Sequence, residues 1–170
     1  MWYIQRMLVL IAMLFAFEDI PAAPPEIGLP IEGLAVTSLR DSFNDRRPGH
    51  RHEAIDIMSP HGTPVQAVTT GTIRKLIRSA SGGISIYQFD ETGSHCYFYA
   101  HLQGYAKGLH EGMRIERGDV IGYVGSTGNA KRTAPHLHFT LFEVGPEQKW
   151  WTGKTINPYD ALVGAAKTLN

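Results

Sequence analysis

The chain has 170 residues, of which 43% are apolar and 19% charged; that balance excludes an intrinsically disordered chain and suffices for one domain with a proper core. Sixteen Lys+Arg against sixteen Asp+Glu leave no net charge, so nothing electrostatic recommends nucleic acid as a partner. A single Cys excludes an intrachain disulfide, leaving packing or a metal to stabilise the fold.

After Met1–Arg6, with its single basic residue, comes Met7–Phe17, eleven apolar residues without interruption, closed by Glu18 and Asp19. As a helix this run reaches about 16 Å, short of the ~30 Å hydrocarbon core of a bilayer. That length suits the apolar region of a signal peptide, and export to the periplasm, cell envelope or exterior is expected. Residues 1–23 therefore read as a signal peptide or a short anchor, with weak membrane association if retained. A cut after Ala23 or Ala22 would leave Pro21 or Ile20 at the third position back, a poor cleavage context.

Residues 24–32, with Pro24, Pro25 and Pro30, read as a linker, and 33–170 as the domain. Eighteen Gly and ten Pro separate short β-type runs, which predicts a mostly β, antiparallel fold. Strands are expected near Pro64–Val68, Thr72–Ile77, Ile84–Phe89, Cys96–His101, Arg114–Ile115, Val120–Val124 and His136–Val144. Asp90–Ser94 reads as a hairpin turn with Gly93 where positive φ is needed. From Ile156 onward a short C-terminal helix is expected, with Asn157 or Thr155 as cap and Pro158 in the first turn.

Chemistry concentrates in two histidine clusters, Arg51–Ile57 and Pro135–Phe139, with Tyr99-Ala100-His101-Leu102 between them. Strand parity puts His136 and His138 on one face and turns Leu137 and Phe139 into the core. The same parity groups His101 with Tyr99 and Tyr97, and sets Cys96 and Phe98 opposite. His52 and Asp56 would lie roughly 13 Å apart in extended chain, too far to share one ion, so a bulge or tight turn is expected at Glu53-Ala54-Ile55. The approximate match to an HExxH helix fails, because Asp56 stands where the second His should be. Without a carboxylate base of that kind, histidine has to do the proton work.

His52-Glu53-Ala54-Ile55-Asp56, Tyr99-Ala100-His101-Leu102 and Pro135-His136-Leu137-His138-Phe139 resemble the three ordered motifs of the lysostaphin-like zinc metallopeptidases. Gly62-Thr63-Pro64-Val65 and Gly125-Ser126-Thr127-Gly128-Asn129 are similar to that family's connecting segments, and Asn157-Pro158 to its ending. The resemblance runs from about Phe43 to His138. It implies a lysostaphin-like sheet of the duplicated hybrid-motif type, with one zinc per chain held by His52, Asp56 and His138. It makes His101 and His136 the catalytic pair, with their roles undivided, and implies bacterial peptidoglycan peptides as substrate. The family usually has Gly where Ala54 stands; at positive φ an alanine there would cost on the order of 1 kcal/mol.

Other residues receive plainer readings. His50, His61, His95 and His110 read as surface or hydrogen-bonded groups, Glu53 as solvated, and Cys96 as a small buried hydrophobe. Arg46, Arg47 and Arg51 read as a solvated loop rather than the lining of a groove for acidic peptides. Trp150-Trp151 reads as packing. The Gly-rich stretch Glu111–Gly122 also resembles phosphocarrier and biotinyl-carrier sheets, but no Met-Lys-Met-like tip exists to carry a modification. The remaining rival is a non-catalytic cell-wall-binding or amidase-activating relative, whose signature would be a missing ligand; none is missing.

Overall fold

The computed structural model of the chain describes residues 25–145, 147, 149 and 153–168. The expected leader over 1–23 and the pair Trp150-Trp151 lie outside the described residues. After a 3₁₀ turn at Val36–Ser38 come β1 (Arg46–Arg47), β2 (His50–Arg51), β3 (Ile55–Met58), β4 (Pro64–Gln66), β5 (Gly71–Ser79) and β6 (Gly83–Asp90). Then follow β7 (His95–Leu102), β8 (Gly104–Tyr105), β9 (Arg114–Ile115), β10 (Val120–Tyr123), β11 (His136–Glu143), β12 (Lys154–Ile156) and α1 (Tyr159–Thr168).

All pairings are antiparallel, in agreement with the expected class. The main sheet runs β12-β11-β7-β6-β5-β9, and β3 pairs with the free edge of β11 ahead of β12. A three-stranded sheet, β4-β10-β8, shares the main sheet's core through Val65 and Ile121, and β1-β2 forms a separate hairpin. The seven expected strands are all present with ends moved by up to two residues; β1, β2, β3, β8 and β12 are additional. Apart from β3, where buried Ile55 and Ile57 alternate with Asp56 and Met58, these strands are too short to display an alternation.

Alternation builds the core. Ile55 and Ile57 of β3, Tyr97 and Tyr99 of β7, and Leu137, Phe139 and Leu141 of β11 are all buried on one face of the sheet. Removing such side chains from water stabilises the fold by about 1.5–3 kcal/mol each. Tyr99 is fully buried because its hydroxyl is satisfied: it donates to Gln88 Oε1 (2.6 Å) and accepts from the Val68 amide (3.1 Å). On the opposite face Cys96 packs with Phe89 and Val144 as the small buried hydrophobe expected, and burial pushes its thiol up. The Pro-rich stretch before the domain forms no regular element, yet Ile27, Leu29 and Ile31 are buried in the main core.

Helix α1 starts as expected for its cap: the Asn157 side-chain oxygen accepts the Tyr159 amide at 3.0 Å. The Asp90–Ser94 turn also matches, with Gly93 at φ 72°.

Candidate metal centre

Sheet register brings the two histidine clusters together. His138, in the middle of β11, lies opposite Asp56 of β3 on one side and Ala100 of β7 on the other. His136 is two residues back on the same face, and His101 follows Ala100 directly. The parity expected for His136 and His138 therefore holds, with Leu137 and Phe139 buried between and beyond them.

The parity expected for His101 is corrected. Tyr97 and Tyr99 point into the core, whereas His101 lines the cleft beside Phe98. The reason is local: His101 has φ 61°, which breaks the period-two alternation at the last turn of the strand.

The bend expected between His52 and Asp56 is present, and it sits at Glu53, which has φ 56°. Ala54 is fully buried and is not among the residues with positive φ, so the conformational cost considered for alanine falls on Glu53 instead. The Glu53 side chain is exposed, as expected.

The bend folds the chain back so that His52 Nε2 lies 3.0 Å from Asp56 Oδ1 and 3.1 Å from His138 Nδ1. His138 Nδ1 lies 3.2 Å from the same carboxylate oxygen. Each donor faces the others because its remaining atoms are engaged elsewhere. His52 Nδ1 donates to the Ser42 carbonyl at 3.0 Å, which orients the ring so that Nε2 turns towards Asp56 and His138.

Whether these residues fit zinc can be tested on those separations. Ligands about 2.0–2.2 Å from a tetrahedral ion stand roughly 3.4 Å apart, and two imidazole nitrogens with one carboxylate oxygen make a set that leaves a position open. The three atoms lie within 4.8 Å of one another and could hold a metal ion. The donor set fits.

Burial and charge both act on Asp56 and His138. Burial pushes the Asp56 carboxyl up, but the His138 and His52 imidazoles against it outweigh that and hold it well below the usual carboxylate range. Burial pushes the His138 imidazole down, with Asp56 opposing. A neutral His and an ionised Asp are the forms that bind metal.

His101 and His136 flank this cluster. The His101 ring lies 4.9 Å from that of His136 and 5.5 Å from that of His138, centre to centre. His101 Nδ1 donates to the Thr127 carbonyl (2.9 Å) and His136 Nδ1 to the Ala134 carbonyl (2.9 Å), so each ring turns its Nε2 away from these carbonyls. Burial is the main force holding the His101 pKa down, at about 4, so the ring is neutral near pH 7.

The five residues open on a cleft of about 630 Å³. Tyr87 and Phe98 line it, their rings 4.4 Å apart, and Arg47 and Lys131 bring cationic side chains to it.

Of the residues given no site role, His50 also lines the cleft. His61 contacts Ser126, His95 pairs with Asp90 in the β6–β7 turn, and His110 contacts the Glu111 carbonyl. Arg46 and Arg51 are exposed, but Arg47 makes an ion pair with Asp56 at 3.2 Å. Sequence reasoning missed Arg47, Ser42 and Thr127 as supports of the cluster. Each acts through a contact from outside the element that carries its partner, for which no local pattern exists.

An antiparallel sheet with two imidazoles and a carboxylate converging beside an open cleft is the arrangement of a metal-dependent hydrolase. The chain belongs to peptidase family M23, matching it over residues 50–158. It is 35% identical over 145 residues to the L-Ala--D-Glu endopeptidase of Bacillus subtilis, covering 81% of this chain and 43% of that protein. It is likewise 35% identical over 127 residues to the DD-carboxypeptidase/endopeptidase Mpg of Neisseria meningitidis, covering 72% of this chain and 28% of that one. The chain thus spans less than half the length of these curated relatives. Among solved structures, the catalytic domain of lysostaphin from Staphylococcus simulans superposes with a TM-score of 0.57 at 28% identity, over 82% of this chain and 90% of that one. The expected lysostaphin-like fold is therefore the one adopted.

Proposed function

We propose that this protein is a zinc metalloendopeptidase that hydrolyses peptide bonds of bacterial peptidoglycan, in stem peptides or cross-links. The observation that carries the reading is the convergence of His52 Nε2, Asp56 Oδ1 and His138 Nδ1 within hydrogen-bonding distance of one another, in a chain of family M23. The substrate class rests on relatives named as an L-Ala--D-Glu endopeptidase and as lysostaphin.

His52, Asp56 and His138 would hold one zinc ion, which when bound supplies a Lewis acid for the scissile carbonyl and activates a water. His101 and His136 are the catalytic pair. Each has its Nδ1 committed to a backbone carbonyl, which leaves Nε2 as the atom that takes or gives a proton. Protonated at Nε2, the same rings stabilise the developing oxyanion or return a proton to the leaving amine. The aromatic pair Tyr87–Phe98 gives the peptide an apolar surface along the cleft.

Met1–Ala23 acts as an export leader or short anchor that delivers the domain to the envelope, where this substrate is found. The Met7–Phe17 run supports that placement.

The test is zinc content of the purified chain measured together with its release of soluble peptides from purified peptidoglycan, with a chelator control. One zinc per chain with chelator-sensitive release is the expected result. Release that survives complete zinc removal overturns the reading.

A further inference from the structure

We infer that Ser42 and Arg47 are positioning residues of the metal centre: Ser42 sets the spacing of His52 and Asp56, and Arg47 fixes the Asp56 carboxylate with one oxygen turned inward. Both precede residue 50 and lie outside the matched family segment. The inference rests on the zinc-binding reading of His52, Asp56 and His138 given above.

Ser42 is buried, at 1% exposure, and a buried hydroxyl must be satisfied. Its carbonyl accepts the His52 Nδ1 proton at 3.0 Å, which orients that ring and leaves Nε2 for the metal. Its hydroxyl accepts the Asp56 amide at 3.1 Å and donates to the Ala54 carbonyl at 3.2 Å. One residue thereby ties both ligand segments and the bend between them. Two neighbouring backbone bonds extend the grip: the Phe43 carbonyl accepts from the Glu53 amide (2.8 Å) and the Asp45 carbonyl from the His52 amide (2.9 Å). Such bonds offset the cost of a positive φ at the non-glycine residue Glu53.

The brace is itself anchored. Asp41 accepts the Phe43 amide at 3.1 Å and the Asn157 side-chain amide at 3.2 Å and 3.3 Å. Asn157 also caps α1, so the segment before the first motif is tied to the C-terminal helix.

Arg47 acts on the carboxylate. Its Nη2 lies 3.2 Å from Asp56 Oδ2, while Oδ1 faces His52 and His138. The two oxygens are divided between two tasks, which holds the carboxylate plane as outer partners of metal ligands generally do. Arg47 also lines the cleft, so the competing role is contact with an acidic peptide.

The experiment compares the full chain with Ser42→Ala, Ser42→Thr, Arg47→Ala and Arg47→Lys. Zinc affinity is measured by chelator competition, cobalt-substituted protein by its visible absorption, and chelated protein by thermal unfolding. Both alanine variants are expected to weaken zinc about ten- to a hundredfold and to alter the cobalt bands, while unfolding cooperatively without metal. Ser42→Thr, which keeps the hydroxyl, recovers most of the affinity, and Arg47→Lys falls between Arg47→Ala and wild type. Wild-type affinity in both alanine variants overturns the inference. If Ser42→Ala fails to fold, Ser42→Thr and the Arg47 variants decide it, because Arg47 lies on an exposed hairpin. A raised KM for acidic peptides with unchanged zinc affinity in Arg47→Ala assigns Arg47 to substrate and removes it from the brace. Wild-type chain that takes up no zinc overturns the zinc reading itself and the brace with it; zinc uptake indifferent to the substitutions overturns the brace alone.

Discussion

His52 Nε2 lies 3.0 Å from Oδ1 of Asp56, four residues further along the chain. Extended backbone would separate these residues by roughly 13 Å. The difference is made by Glu53, whose φ of 56° reverses the chain between the ends of two strands. Glu53→Gly is expected to keep zinc affinity and to change stability by less than about 1 kcal/mol, since glycine accepts this φ while adding freedom to the unfolded chain. Glu53→Val should cost about 1–3 kcal/mol and weaken zinc binding, because a β-branched residue disfavours the left-handed region. Thermal unfolding with and without chelator reads both; equal behaviour of Gly and Val variants would mean that the bend does not govern the site.

The proposed ligands and the proposed catalytic pair should separate by mutation. His138→Ala removes one of three donors and should abolish stoichiometric zinc. His101→Ala leaves all three donors in place, and is expected to retain zinc and lose about 10²–10⁴-fold in rate. Metal analysis beside peptide release from cell wall distinguishes the two, and wild-type turnover by His101→Ala would refute its catalytic role.

Burial lowers the His101 pKa to about 4. In the unfolded chain the ring titrates near 6.5. Between those values the unfolded state binds the proton and the folded state does not, so the folded state loses stability as pH falls through this window and has its full contribution above it. For metal-free protein this amounts to on the order of 1–2 kcal/mol from His101 after solvent screening. Burial lowers His138 in the same direction. Chelated His101→Gln should therefore show a shallower fall in Tm between pH 6.5 and 4.5 than chelated wild type; parallel curves would contradict the shift.

Thr127 holds His101 from the loop side, its carbonyl accepting from Nδ1 and its hydroxyl bridging the Ile84 amide and the Leu102 carbonyl. Gly128 follows at φ 73°, and a Cβ there would meet the Ser81 carbonyl oxygen and the Gly83 amide nitrogen at 2.3 Å each. Gly128→Ala is expected to displace this loop, cost about 1–3 kcal/mol of stability and lower kcat at least about tenfold. Zinc affinity should change little, since the three donors stand on β3, β11 and the turn before β3. A variant with unaltered kcat would show that loop and His101 are independent.

The amino-acid sequence by itself determined the strand periodicity, the antiparallel class and the face shared by His136 and His138. These follow from alternation within one strand, a local property carried by Leu137 and Phe139 as clearly as by the histidines. Given one ion shared by His52 and Asp56, it also required a bend before Asp56, because extended chain is too long between them. Tertiary structure decided where the bend falls, because a left-handed Glu53 or His101 carries no glycine to announce it. It decided that Asp56 stands opposite His138, since register is set by hydrogen bonds between strands 82 residues apart in the chain. It alone joined Ser42, Arg47 and Thr127 to the cluster, because a backbone carbonyl or an ion pair arriving from outside the element leaves no periodic mark on the sequence.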